Sequence, residues 1–246
     1  ITVLEIPMEN ITKYHYKNNF MKQTKEEFES NVMAFKEKMS NYYKENEKGK
    51  AFVCDGIIDV GSYFDETYKI LWILKEAYSG SGDKGYLHDL KLYRSEGEKK
   101  DSPNTWNPIA YISYSVINNF NDLAGENIKN NKEVNRVFKK IAIINVQKTE
   151  AGTRSKSSEI QRAYKCHLEI IKEQIETYNP SIIINCSGIK DFAADLDFTN
   201  SIGFGHFSKK NKIIINTYHP QQVRIKQAVY INKVIQRIKE WYYHSI

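Results

Sequence analysis

The sequence predicts an α/β fold of three layers, with helices flanking a central, mostly parallel, four-stranded sheet. Two observations lead to this prediction: four separated apolar runs of strand length, and amphipathic segments between them. The runs lie at 70–76, 141–145, 181–186 and 213–220. Short runs rich in β-branched residues are typical of strands buried on both faces, and such burial requires helices on both sides of the sheet.

Helix boundaries follow from caps, prolines and apolar spacing. Thr24 and Glu27 have the spacing of a capping box, so a first helix is expected from there. Pro108 marks the start of another helix, and Pro180 stops the one that precedes the third strand. Helices are expected at 24–45, 108–120, 132–139, 157–178, 187–195 and 225–242. Loops are expected at 46–69 and 78–107.

The length of 246 residues fits one α/β domain better than two. Within this single domain, 1–65 is interpreted as a helical and irregular extension and 66–246 as the core. The formal charge of +6 slightly favours a polyanionic partner.

The cysteines Cys54, Cys166 and Cys186 form no C-x-x-C pair, which favours a reducing compartment. No apolar run is long enough to cross a membrane. A cytoplasmic monomer is therefore expected, associated with the nucleoid if it acts on DNA.

Three polar residues follow apolar runs, where parallel strands present ligand sites at their carboxyl ends. Glu76 can orient water or stabilise positive charge, and Asn145 offers a donor and an acceptor to a base edge. His219, held extended by Pro220, can donate to charge on a leaving group. The alternatives are structural: a surface carboxylate, a turn residue and a packed histidine.

Other chemistries fit the sequence less well. Cys166 and His167 are adjacent, so on a helix their side chains diverge and do not readily share a metal ion. No Gly-x-Ser-x-Gly elbow is present for a serine hydrolase. Basic residues cluster after the second strand and either bind phosphates or solvate a helix face. They are Lys148, Arg154, Lys156, Arg162 and Lys165.

Three motifs together resemble the uracil-DNA glycosylase superfamily. Its acidic motif is similar to 75–78 (Lys-Glu-Ala-Tyr), its Asn-bearing segment to 145–148 (Asn-Val-Gln-Lys), and its His-Pro motif to 217–220 (Thr-Tyr-His-Pro). The resemblance covers about 66–240. The helix around Cys166 and the segment 178–183 look like the iron–sulfur branch, but that branch needs four cysteines, so no cluster is expected.

The resemblance implies a monofunctional glycosylase that flips a modified base out of DNA, duplex or single-stranded, and cleaves its N-glycosidic bond. Glu76 and His219 would be catalytic, and no metal or nucleotide cofactor is required. Base contacts are implied for Asn145, Trp106 and Tyr78, with Trp106 stacking on the base. DNA contacts are assigned to Lys148, Arg154, Lys156, Val223 and Arg224.

The sequence departs from the superfamily pattern in several further places, and the proline usual near the acidic residue is absent. Lys75 replaces a small residue before the acid, and Val223 stands where relatives carry a larger wedge. Uracil or another modified base is thus the expected substrate. Two other classes stay open: a binder of the altered base that does not cut, and a flavodoxin-like domain for a small phosphorylated ligand.

Overall fold

The computed structural model describes residues 23–46, 53–76, 103–120, 132–149, 156–203, 206–209 and 211–244. Its helices are α1 (Lys25–Asn46), α2 (Val60–Phe64), α3 (Pro103–Ile117), α4 (Lys132–Arg136), α5 (Ser157–Tyr178), α6 (Phe192–Asp195) and α7 (Gln227–His244), with a 3₁₀ turn at Val137–Lys140. The strands are β1 (Gly56–Ile57), β2 (Ile70–Glu76), β3 (Ala142–Gln147), β4 (Ile182–Asn185), β5 (Asn200–Gly203), β6 (His206–Lys209) and β7 (Lys212–Asn216). The predicted α/β class is confirmed.

The strands form one mixed sheet in the order β1-β3-β2-β4-β7-β6-β5. All four predicted strands are present as β2, β3, β4 and β7, and each is parallel to its neighbour within this group. The prediction of four strands is nevertheless wrong, because β1, β5 and β6 extend the sheet on both sides with antiparallel pairing.

The three additional strands were missed because none has the apolar pattern that identified the others. β1 is two residues long, and β5 and β6 carry the polar sequences Asn-Ser-Ile-Gly and His-Phe-Ser-Lys. β1 is too short to show an alternating pattern, and β6 is only partly buried along its length, so hydrophobic pattern alone specifies these strands weakly.

Side chains alternate between two hydrophobic clusters, one on each face of the sheet. On β2, Trp72 and Leu74 belong to the first cluster, which contains residues of α3, α4 and α7. Leu71 and Ile73 belong to the second, which contains residues of α1, α5 and α6. This alternation follows from the two-residue period of a strand. Because both faces of β2 are covered, its residues 70–74 are apolar on both sides.

Four of the six predicted helices have nearly the predicted bounds and two do not, and the short helix α2 lies where a loop was expected at 46–69. α3 begins at Pro103, so Pro108 lies inside the helix and residues 103–107, expected in a loop, are helical; the rest of that expected loop lies outside the described residues. Pro108 is the sixth residue of α3, so it removes one backbone hydrogen bond inside the helix without ending the helix. α6 covers only the last part of the predicted 187–195 helix.

Part of the segment 1–65 packs into the core. Phe28 and Val32 of α1 lie in the second cluster beside Ile73, and β1 pairs with β3. No helix of the described ranges is long and apolar enough to cross a membrane.

Candidate functional site

The strand order defines a crevice at the carboxyl ends of the parallel strands. From β2 the chain connects to β3 on one side, and from β4 it continues to β7 on the other. In open α/β sheets, ligands bind outside the carboxyl ends of two adjacent strands whose connections leave in opposite directions. The carboxyl ends of β2 and β4 therefore mark the candidate site.

Glu76 is the last residue of β2, at this edge. It is partly buried, and its register partner on β3 is Gln147. Alternation along β2 places its side chain on the same face as Trp72 and Leu74. Glu76 thus borders the crevice on the side covered by α3 and α7.

Asn145 does not end its strand as expected, because β3 continues to Gln147. Its register partner is Leu74, so it lies two residues deeper in the sheet than Glu76 does, and none of its surface is exposed. The Oδ1 atom of Asn145 is buried and has no hydrogen-bond partner among the described residues. Such an unsatisfied acceptor costs about 1–3 kcal/mol and calls for an explanation.

His219 follows β7 and is partly buried. β7 is two strands away from β2, a separation of about 10 Å at the usual strand spacing. Burial, together with the positive charge of Lys75, lowers the pKa of His219 to about 4. The imidazole is therefore neutral at pH 7. Because β2, β4 and β7 are parallel neighbours, their carboxyl ends lie at the same end of the sheet.

The hydrogen bonding of His219 fixes its tautomer. The backbone N–H of Gln221 donates to Nδ1 over 3.2 Å. Because a neutral imidazole carries one proton and Nδ1 is the acceptor, the proton resides on Nε2. His219 thus presents one N–H donor from a neutral ring.

The segment 218–224 links the crevice to the surrounding helices and to the surface. The Tyr230 hydroxyl of α7 donates to the Tyr218 carbonyl over 2.9 Å. Tyr218 is half exposed, and the Arg224 guanidinium lies 5.5 Å from the centre of its ring. Val223, at the tip, is 96% exposed. The predicted wedge and its arginine are therefore accessible beside His219.

The position of Lys148 contradicts its predicted contact with DNA. Its side chain is 1% exposed, and its Nζ lies 3.0 Å from both carboxylate oxygens of Asp55. Because a buried ammonium needs a partner, the side chain turns into the protein and pairs with Asp55 instead of pointing to solvent. Lys148 is therefore unable to bind a phosphate in this conformation.

The other predicted contacts differ in accessibility. Lys156 is exposed at the start of α5. Trp106 lies inside α3 instead of in the expected loop; it is partly buried, and its ring meets Phe138 edge to face at 6.0 Å. Its stacking on a base stays a prediction. Tyr78 and Arg154 lie outside the described residues.

Sequence reasoning missed the role of two residues at the site. Lys75 was noted as a departure, but its effect on His219 depends on the approach of β2 and β7. Asp55, in a segment predicted as a loop, accepts a hydrogen bond from the backbone N–H of Asn145 over 2.6 Å. Its only sequence signal was an acid directly before Gly56, which is common in turns.

Two comparisons with known proteins found no match to this chain. No family model matches the chain, and no curated protein matches it significantly in sequence.

Proposed function

We propose that the protein is a DNA glycosylase of the uracil-DNA glycosylase type, which hydrolyses the bond between a sugar and an extruded uracil or other modified base. The proposal includes the three-layer, glycosylase-like arrangement of the core. The observation that carries it is the state of His219: a neutral imidazole with its proton on Nε2, beside the carboxyl edge of the sheet that also holds Glu76.

In the proposed reaction, the C1′–N bond breaks and its electron pair leaves with the base. The Nε2–H of His219 donates to a base oxygen as negative charge builds on it. A neutral donor suits this step because the ring keeps its proton while it stabilises the departing anion.

Glu76 has the complementary role. Its carboxylate stabilises the positive charge that develops on the sugar and directs a water molecule to C1′. The water oxygen bonds to C1′, and its released proton passes to the carboxylate. The position of Glu76 at the end of β2, on the face that Asn145 shares, supports this assignment.

Asn145 would contact the base edge. Its Oδ1 atom, buried and without a partner among the described side chains, is an acceptor that a donor on the base would satisfy. Extruding a nucleotide costs a few kcal/mol, and Val223, Arg224 and Lys156 are the accessible predicted DNA contacts that would offset this.

Base release tests the proposal. Wild-type protein is incubated with oligonucleotides that each carry one modified base, uracil included, and abasic sites are detected by alkaline cleavage. We expect His219→Ala and Glu76→Gln to lower the release rate about a hundredfold or more. Glu173→Gln is the matched control for Glu76→Gln, because Glu173 is a partly exposed carboxylate on α5, which packs on the opposite face of the sheet from Glu76. Full activity of either site variant would contradict the assignment.

A second candidate is a binder that encloses an altered base without cutting it. Lys75 favours this candidate, because a fixed positive charge near the crevice opposes the positive charge that forms on the sugar. The order of the four parallel strands, β3-β2-β4-β7, also occurs in flavodoxin-like doubly wound sheets, which bind a phosphorylated ligand. Salt-sensitive DNA binding without base release would indicate a binder of the altered base. A copurifying small ligand would indicate a domain that binds a phosphorylated ligand.

A further inference from the structure

Four buried polar side chains form one hydrogen-bonded network beside β3: Asp55, Lys148, Gln174 and Tyr178. The Asp55 carboxylate accepts from Lys148 Nζ, and its Oδ1 also accepts from Gln174 Nε2 over 3.1 Å. Lys148 Nζ donates to Gln174 Oε1 over 2.7 Å, and Gln174 Nε2 donates to the Tyr178 hydroxyl over 3.1 Å. All four side chains are nearly inaccessible to solvent.

The network fixes the position of Asp55. Burial lowers the pKa of Lys148, while the charge and hydrogen bond of Asp55 oppose this shift. A pair at this depth has good geometry and satisfied neighbours, which is what a buried ion pair requires. Asp55 is thereby held against the edge of β3.

Asp55 constrains the amide of Asn145. Asp55 Oδ2 accepts from the Asn145 backbone N–H over 2.6 Å, and Asn145 Nδ2 lies 3.5 Å from the same oxygen. An ionised carboxylate only accepts hydrogen bonds, so it attracts the NH₂ end of an amide and repels the oxygen end. The Oδ1 end of Asn145 therefore points away from Asp55, and this is the atom without a partner in the described part of the chain.

We propose that Asp55, held by Lys148 and Gln174, is a positioning residue that locks the Asn145 amide with its oxygen presented to the substrate. The inference rests on the proposed function and deepens it. A substrate edge that meets Asn145 must then offer an N–H donor. Asp55 comes from the segment before residue 66, so the resemblance to glycosylases did not indicate it.

The test combines an NMR measurement with base release. Asp55→Asn/Lys148→Met removes both charges together, because removing one partner would leave an unpaired buried charge. The residue introduced at 55 has both a donor and an acceptor, so it no longer selects one orientation of the Asn145 amide. Ser113→Ala is the control: it removes a buried hydrogen bond, to Trp72, that involves none of the four network residues.

Solvent exchange of the Asn145 side-chain NH₂ group, followed by ¹⁵N NMR, should become at least about tenfold faster in the double variant and stay unchanged in Ser113→Ala. The ratio of uracil release to cytosine release should fall about tenfold, in line with the contribution of one base-edge contact. Unchanged NH₂ exchange in the folded double variant would overturn the inference.

Two further outcomes separate the inference from the proposed function. If the wild type releases no base but NH₂ exchange responds as expected, the positioning role of Asp55 holds and glycosylase activity is refuted. If the double variant does not fold, Asp55→Glu serves instead, because it keeps the ion pair and displaces the acceptor. An Asn145 amide unaffected by that shift would also overturn the inference.

Discussion

His219 illustrates how neighbouring residues set the chemistry of one side chain. Burial and the charge of Lys75 lower its pKa from 6.5 to about 4. The unfolded chain therefore binds a proton at His219 more readily than the folded chain does. This contribution to stability is complete above pH 6.5, declines as the pH falls, and is lost as the pH passes through 4.

Lys75→Met should raise the pKa of His219. The value should stop short of 6.5, because burial is the larger cause and remains in the variant. Titration of the imidazole C–H resonances by NMR measures this change. Lys69→Met is the control, since Lys69 precedes β2 at the opposite edge of the sheet. A His219 pKa that stays near 4 in Lys75→Met would show that Lys75 has no influence.

The two-residue strand β1 shows how a short element is specified by close packing. Gly56 has a φ of +124°, and a Cβ atom added there would lie 2.1 Å from the Tyr178 hydroxyl oxygen. Only glycine combines that backbone conformation with so close an approach. Gly56 thereby lets β1 pair with β3 while Asp55 reaches Lys148.

Gly56→Ala should therefore destabilise the protein, by about 1–3 kcal/mol from overpacking alone. Chemical denaturation followed by circular dichroism measures the free energy of unfolding. Gly188→Ala is a matched control, because Gly188 also has a positive φ, of +83°, but no atom lies within 4 Å of its added Cβ. Equal losses in the two variants would mean that backbone strain, and not contact with Tyr178, accounts for the effect.

At the scale of the whole molecule, residues 23–65 contribute to the core and to the candidate site. α1 covers one face of the sheet with Phe28 and Val32, and Asp55 neutralises Lys148. Without these residues, apolar surface on that face would be exposed and a buried ammonium would lose its partner.

A chain that lacks residues 1–65 should therefore fail to unfold cooperatively. Loss of a partner from a buried ion pair alone costs about 3–5 kcal/mol, a large share of the stability of a typical domain. Thermal unfolding monitored by circular dichroism tests this expectation. A chain without residues 1–22 retains every described contact and is the control. A sharp transition in the shorter chain would show that 66–246 folds independently.

The sequence by itself determined the α/β class, the four central strands, the bounds of α5 and the position of Glu76 at the end of β2, whereas His219 lies three residues beyond the end of β7 and not at it. These features are local, because each depends on apolar periodicity or a nearby proline. The polar strands β5 and β6 have no such pattern, so their places in the sheet depend on pairing, of β6 with β7 and of β5 with β6.

Only the tertiary structure decided the surroundings of the site residues. Lys148 was predicted to bind phosphate, yet its ammonium points into the protein and pairs with Asp55. This partner is 93 residues away in sequence and 3.0 Å away in space. The depth of Asn145 and the lowered pKa of His219 arise in the same way, from residues on other strands. The burial of a site residue and the charges around it depend on residues that are distant in sequence, so a local sequence pattern does not predict them.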